Sequence, residues 1–172
     1  MAAFVLDAHA LVAFFRGEDA GVPLKELLHK AATADRPLHM TEVNYAEVKY
    51  MLLKKDGAEA WEQAADVLKS LPLEFHPASR ALAHAAADFQ ARHKISLADA
   101  FAAALAKEKK AELITGDPEF KALEKEIKIK WLKLIAGQPE HHTALSLQGR
   151  TVRGKQPSPA NSCPGKRASF IL

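Results

Sequence analysis

Short apolar runs alternate with longer helical segments over the first 135 residues of this chain. The short runs, which are typical of strands, lie at 3–6, 38–40, 73–75, 112–115 and 127–132. Helical spacing or capping residues mark 8–15, 23–32, 42–55, 58–70, 78–93, 96–109 and a short turn from 118. Strands separated by helices pair in parallel through right-handed crossovers. The pattern predicts an α/β fold, with a central parallel sheet of four to five strands flanked by helices on both faces, and 127–132 as an edge strand.

The segment 136–172 differs from what precedes it. It is rich in Pro, Gly and Ser and has no apolar periodicity, which predicts a disordered or loosely attached tail. The tail holds five of the 24 Lys and Arg residues but only one of the 21 Asp and Glu residues. The pI of about 8.9 therefore reflects the tail rather than the expected domain at 1–135. We interpret the tail as a solvated appendage, with nucleic-acid binding as the alternative.

Composition limits the class of protein. A chain of 172 residues, 48% hydrophobic and 26% charged, is typical of one soluble globular domain. The single cysteine, Cys163, excludes an internal disulfide, and no Cys/His spacing predicts a zinc motif. No uncharged stretch approaches the roughly 18 residues of a membrane span. We therefore expect a cytoplasmic protein, with neither export nor membrane insertion.

Four acidic residues stand near predicted strand ends or helix starts: Asp7, Glu47, Asp99 and Asp117. Sites in open parallel sheets form at the carboxyl ends of the strands. Asp7 follows the first strand and Asp117 the fourth, Asp99 lies in the first turn of the helix begun by Ser96, and Glu47 lies one to two turns into its helix. All four side chains could reach one crevice.

Each acid also has a structural alternative. Asp7 and Asp117 can cap the helices that follow them, Asp117 with proline at the first helical position. Asp99 and Ser96 have the spacing of a capping box. Glu47 has no opposite charge three or four residues away on its helix, where Val43, Tyr50 and Met51 lie on its own face. The alternative is that Tyr45, Val48 and Leu52 set the buried face and leave Glu47 exposed.

Four carboxylates in one crevice would repel strongly. Two unit charges about 4 Å apart repel by roughly 4 kcal/mol at an effective dielectric near 20. Such a group must take up protons or hold a cation. Oxygen-only ligands favour Mg²⁺ or Mn²⁺, and this chemistry suits the hydrolysis of phosphodiesters.

The four acidic segments, FVLDAHALVAFF, TEVNYAEVKYML, SLADAFAAALA and LITGDPEF, resemble in order the motifs of PIN-domain ribonucleases. Together with the length, they are similar to the VapC toxins of toxin–antitoxin pairs, over about residues 1–133. The resemblance implies that the four acids bind the metal and that Thr115 orients a carboxylate or water. It assigns the family's glutamate to Glu47 rather than Glu42. Ala8 departs from the Thr or Ser that often follows the first aspartate.

The resemblance further implies an endoribonuclease that acts on structured cellular RNA to slow translation. Its expected partners are a VapB-like antitoxin, which inserts a peptide into the acidic groove, and a second copy of the chain in a homodimer. Four scattered basic residues could contact RNA phosphates, with solvation as the alternative: Arg16, Lys94, Lys121 and Lys133. His9, beside Asp7, is interpreted as structural.

Two rival classes remain open from the residues. A receiver domain or a phosphatase of the haloacid dehalogenase type also gathers Mg²⁺-binding acids at strand ends. The phosphatase requires a second aspartate where this chain has His9, and a receiver requires adjacent acids after the first strand, which are absent here. The other rival is a catalytically silent PIN-like module that binds RNA or protein.

Overall fold

The computed structural model describes residues 3–132 of the chain. Its strands are β1 (Phe4–Leu6), β2 (Leu38–Thr41), β3 (Leu73–His76), β4 (Glu112–Thr115) and β5 (Lys128–Trp131). Its helices are α1 (Ala8–Phe15), α2 (Val22–Thr33), α3 (Glu42–Asp56), α4 (Ala58–Leu68), α5 (Arg80–Arg92) and α6 (Leu97–Lys109). Two short 3₁₀ helices cover Asp19–Gly21 and Pro118–Leu123. The expected tail at 136–172, and Lys133, lie outside these residues.

The five strands form one parallel sheet in the order β3-β2-β1-β4-β5. The predicted parallel sheet is confirmed, and β5 is an edge strand as its alternating pattern indicates. The chain first adds strands on one side of β1 and then, from β4, on the other side. This reversal lies between β1 and β4, the position at which open α/β sheets form their crevices.

Each face of the sheet is covered by its own group of helices. Val5 and Leu113 point into a core shared with α5 and α6, whereas Leu6 and Ile114 point into a core shared with α1 to α4. Helices therefore flank both faces, as predicted. Side chains alternate between the two faces of a strand, so neighbouring strand residues enter different cores.

Helix α6 is buried along most of its length because its side chains are small. Every residue from 98 to 106 is buried, and six of those nine are alanine. Alanines allow the helix to lie close to the sheet, to α3 and to α5 at the same time. The packing fixes the N-terminus of α6, and with it Asp99, near the strand ends.

Local capping explains where the helices begin. The Thr41 hydroxyl accepts the backbone N–H of Asn44 at 3.0 Å, which confirms Thr41 as the cap of α3. The expected helix start at residue 78 was early by two residues, because Ser79 caps α5 by accepting the N–H of Leu82. Within the part of the chain that the structure covers, no helix is both long and apolar enough to cross a membrane.

Candidate active site

A groove of about 160 Å³ opens at the carboxyl ends of the central strands. All four acids predicted from the sequence line it: Asp7, Glu47, Asp99 and Asp117. Its remaining lining residues are His9, Met51, Ser96 and Glu119. The structure thus brings together side chains that are separated by up to 110 positions in the sequence.

Thr115 links the two strand ends through its hydroxyl. The Thr115 hydroxyl donates to Oδ2 of Asp7 at 2.8 Å and accepts the backbone N–H of Asp117 at 2.9 Å. The hydroxyl has one proton and shares it with Asp7, so this hydrogen bond fixes the orientation of the Asp7 carboxylate. The expectation that Thr115 orients a carboxylate agrees with this geometry. Thr115 and Asp7 are both buried, with exposed fractions of 0% and 1%.

The capping alternative is wrong for Asp7. Asp7 stands at the N-cap position of α1, but its side chain makes no capping hydrogen bond. Its carboxylate instead turns toward Thr115 and the groove. Asp117 does act as a cap, since its Oδ1 accepts the N–H of Glu119 at 2.9 Å, and it lines the groove as well.

Asp99 both caps α6 and lines the groove. Its Oδ2 accepts the backbone N–H of Ser96 at 3.2 Å, and the Ser96 hydroxyl accepts the N–H of Asp99 at 3.1 Å, which completes the capping box. Only 6% of Asp99 is exposed. The capping box holds Oδ2 of Asp99. The other carboxylate oxygen, Oδ1, takes no part in the capping box, and the side chain lines the groove.

Glu47 lines the groove from α3, whose position depends on a buried amide. Asn44 has no exposed surface, and its Nδ2 donates to the carbonyl of Ala98 at 3.1 Å, while its Oδ1 accepts the Thr41 hydroxyl. The bond to Ala98 joins the first turn of α3 to the first turn of α6. Asn44 therefore fixes the helix of Glu47 relative to the helix of Asp99.

Replacing Asn44 by Ala is expected to lower the free energy of unfolding by about 1–3 kcal/mol, because it leaves the buried Thr41 hydroxyl without its acceptor and removes the hydrogen bond to the carbonyl of Ala98. Denaturant unfolding measures this loss. The exposed Lys55 of the same helix is the matched control, and Lys55→Ala should change stability by no more than about 0.5 kcal/mol. Equal losses in the two variants would show that the link between the helices contributes nothing.

The electrostatics of the groove are unfavourable to several negative charges. Burial, reinforced by Asp99 and Glu47, raises the pKa of Asp7 to about 8 despite the hydrogen bond from Thr115. Burial also raises the pKa of Glu47 and of Asp99, and repulsion from Asp117 adds to both shifts. Within residues 3–132, no Lys, Arg or His forms an ion pair with any of the four acids. The groove therefore offers carboxylate oxygens that lack a protein counter-charge.

Two groove residues were missed or given another role in the sequence analysis. Glu119 adds a fifth acid through the short helix after β4, and no apolar pattern distinguishes it from other surface glutamates. His9 lines the groove, and its buried Nδ1 has no hydrogen-bond partner among the described residues. A Cβ added at Gly116 would lie 3.0 Å from the His9 ring, so a side chain at position 116 would require the ring to shift by a few tenths of an ångström. Glu42 is exposed and does not line the groove.

Arg16, one of the four basic residues considered for RNA contact, has partners within the protein. It forms ion pairs with Glu18 at 3.1 Å and with Asp56 at 3.3 Å. These ion pairs favour a structural role for Arg16 over contact with RNA.

Comparison with solved structures shows the same fold in toxin–antitoxin proteins. VapBC2 of Rickettsia felis, solved bound to a DNA fragment from their promoter, is 20% identical, with a TM-score of 0.58 over 74% of this chain and 97% of that chain. DNA-bound VapBC of Salmonella typhimurium is 16% identical, with a TM-score of 0.61 over 77% and 100%. VapC20 of Mycobacterium tuberculosis, described as a sarcin–ricin loop cleaving toxin, is 20% identical, with a TM-score of 0.54 over 70% and 94%.

Sequence comparison identifies the family independently of these structures. No curated protein matches the chain at a significant level. The model of the PIN domain matches residues 4–126, which include all four acids and extend over nearly all of the observed sheet. This protein therefore belongs to the PIN-domain family.

Proposed function

We propose that this protein is a Mg²⁺- or Mn²⁺-dependent endoribonuclease whose metal-binding acids are Asp7, Glu47, Asp99 and Asp117. The observation that carries this proposal is the convergence of four carboxylates on one groove, with no cationic side chain among residues 3–132 paired to them. Membership of the PIN family supports nuclease activity. The family match ends at residue 126 and β5 ends at Trp131, which supports a nuclease unit at 1–135 without the tail.

The donor atoms of the groove fit a hard divalent cation. They are carboxylate oxygens, which Mg²⁺ and Mn²⁺ accept readily, whereas zinc favours nitrogen and sulfur. The raised pKa values of Asp7, Glu47 and Asp99 have a common cause in burial, and in the repulsion of like charges. Positive charge in the groove would relieve that repulsion and allow the carboxyl groups to ionise together.

Three of the proposed site residues have distinct tasks. Thr115 holds Oδ2 of Asp7 in place, and the capping box holds Oδ2 of Asp99, so two carboxylates are fixed before any ligand arrives. Glu47 is half-buried, and burial raises its pKa, which makes its carboxylate a stronger base toward the attacking water. A bound cation would activate that water and stabilise the charge that develops on the phosphate.

The biological role we infer is that of a toxin that cleaves structured RNA and so slows translation. The shared fold with VapBC proteins supports a VapB-like antitoxin as partner, with a peptide that enters the groove. A cationic side chain on that peptide would complement the carboxylates. We also expect a homodimer, for which exposed apolar side chains such as Tyr50, Leu53 and Val67 offer contact surface.

The rival functions are less well supported. A phosphatase of the haloacid dehalogenase type needs an aspartate at position 9, where this chain places a histidine ring against Gly116. A catalytically silent PIN-like module would not need four acids to be kept together in one groove. The family model that matches residues 4–126 is that of the PIN domain, which favours a nuclease over a receiver or a phosphatase.

Cleavage of RNA by the purified full-length chain tests the proposal. Fragments should appear with Mg²⁺ or Mn²⁺ and disappear when EDTA removes the cation, because no ion is then left to activate the water or to stabilise the charge on the phosphate. Incubation with a small phosphodonor should leave no aspartyl phosphate on the protein. Cleavage that continues in EDTA would exclude a metal-dependent site, and a phosphorylated aspartate would favour the phosphoryl-transfer alternative.

A further inference from the structure

A second group of potential metal ligands lies away from the acidic groove, at the β2–β3 edge of the sheet. It consists of His39 on β2 with Glu74 and His76 on β3. In the parallel register His39 lies directly opposite Glu74, and His76 follows Glu74 by two residues. All three side chains therefore project from the same face of the sheet.

The three side chains already have the spacing of ligands around one ion. Nδ1 of His39 lies 3.1 Å from Nε2 of His76. Nδ1 of His39 lies 3.3 Å from Oε2 of Glu74, and Nε2 of His76 lies 3.4 Å from Oε1, the other oxygen of the same carboxylate. Ligand atoms at zinc's usual bond lengths of about 2.0–2.1 Å, placed at the corners of a tetrahedron, lie roughly 3.3 Å apart. The distance between the two nitrogens, and the shorter distance from each nitrogen to the carboxylate, are close to that spacing, and one ligand atom from each residue lies within 4.8 Å of the others.

Burial and rigidity also suit a metal site. The two histidine side chains are each 15% exposed, whereas the carboxylate of Glu74 is 50% exposed on the open side. The imidazole rings meet edge to face with centroids 5.1 Å apart. Because both strands belong to the sheet, little backbone order would have to be gained on binding.

The geometry points to a transition-metal site, of zinc type, formed by His39, Glu74 and His76. Two imidazole nitrogens and one carboxylate form a ligand set that zinc uses with an open fourth position. The nitrogen ligands distinguish this site from the groove, where the four proposed ligands are carboxylates that suit Mg²⁺. A bound ion would cross-link edge strand β3 to β2, the strand that leads into Thr41 and α3.

Zinc titration of the full-length protein, prepared without an affinity tag, tests this site. Calorimetry is performed with excess Mg²⁺, so that the acidic groove does not compete for zinc. The wild type should bind one Zn²⁺ at this site, and Co²⁺ used as a probe should give the intense visible absorption of tetrahedral coordination. Loss of an outer-shell partner of a metal site weakens affinity by roughly 10–100-fold, so loss of a direct ligand should cost at least about tenfold.

Two ligand variants and two controls make the test specific. Glu74→Gln changes an exposed side chain and should fold normally, and His76→Gln removes a nitrogen ligand; both should weaken Zn²⁺ binding. The exposed His84→Gln variant and the tail variant His141→Gln/His142→Gln should bind as the wild type does. Absence of zinc binding, or equal affinity in Glu74→Gln, His76→Gln and the wild type, would overturn the assignment. RNA cleavage by Glu74→Gln in Mg²⁺ should persist, so this result is independent of the nuclease site.

Discussion

Replacing Asp99 by Asn should lower the rate of RNA cleavage by more than about 100-fold and leave the fold intact. Outer-shell groups of a metal site already contribute roughly 10–100-fold, and Asp99 is proposed to bind the ion directly. Asparagine is a good capping residue, and its amide oxygen can still accept the N–H of Ser96, so α6 should keep its start. Steady-state cleavage of RNA measures the loss, and far-ultraviolet circular dichroism checks the helix.

The two glutamates of α3 provide a matched pair for the same assay. Glu47→Gln should lose activity to a similar extent because Glu47 lines the groove. Glu42→Gln should retain the wild-type rate because Glu42 is exposed one turn earlier and lies outside the groove lining. Full activity of Asp99→Asn, or equal effects of the two glutamine substitutions, would refute the proposed assignment of the acids.

Replacing Asp7 by Asn is expected to stabilise the metal-free protein by several kcal/mol near pH 7.5. The pKa of the Asp7 carboxyl rises from 3.8 to about 8 on folding, chiefly because the group is buried. Near neutral pH the folded protein must therefore keep a proton that the unfolded chain releases, and each pKa unit costs about 1.4 kcal/mol. Asparagine avoids this cost and can still accept the Thr115 hydroxyl proton.

The pH dependence separates this effect from ordinary packing changes. Because the folded pKa is raised, the wild type should lose stability as pH rises from about 4 to about 8, and Asp7→Asn should lack this component. Urea unfolding in EDTA across that range measures the difference. The exposed Asp88→Asn variant should follow the wild type within about 0.5 kcal/mol. A destabilised Asp7→Asn at all pH values would contradict the account.

Much of the fold could be predicted from local signals. The alternation of strand and helix patterns predicts the parallel sheet, and Thr41 and Ser96 mark helix starts that the structure confirms. Boundaries at 70 and 78 were less accurate. Helix α4 ends at Leu68, two residues before the predicted end, and α5 begins at Arg80 because Ser79 is its cap.

The arrangement of the site could be predicted only in part. The strand-end rule places Asp7 and Asp117 at one edge of the sheet, and the four acids do line one groove. The hydroxyl of Thr115, the amide link from Asn44 to Ala98 and the absence of a cap at Asp7 depend on side-chain packing. Such contacts join residues far apart in sequence and leave no local pattern.

The edge cluster shows the same limit. His39 and Glu74 become neighbours only through the register of β2 and β3, and the sequence pattern ended β3 at residue 75, one residue before His76. A parallel pairing has no short turn that fixes its register in the sequence. The cluster could therefore be found only from the folded structure.

The central claim is that the fold holds together carboxyl groups that repel one another, and that a bound divalent cation relieves this repulsion. Titration of Mn²⁺ into the metal-free protein near pH 7, by calorimetry in two buffers of different protonation enthalpy, measures both the affinity and the protons released. With the pKa of Asp7 at about 8, binding should release close to one proton per Mn²⁺, and Asp7→Asn should bind more weakly without that release. Absence of Mn²⁺ binding, or binding that is unchanged by Asp7→Asn and releases no proton, would contradict the claim.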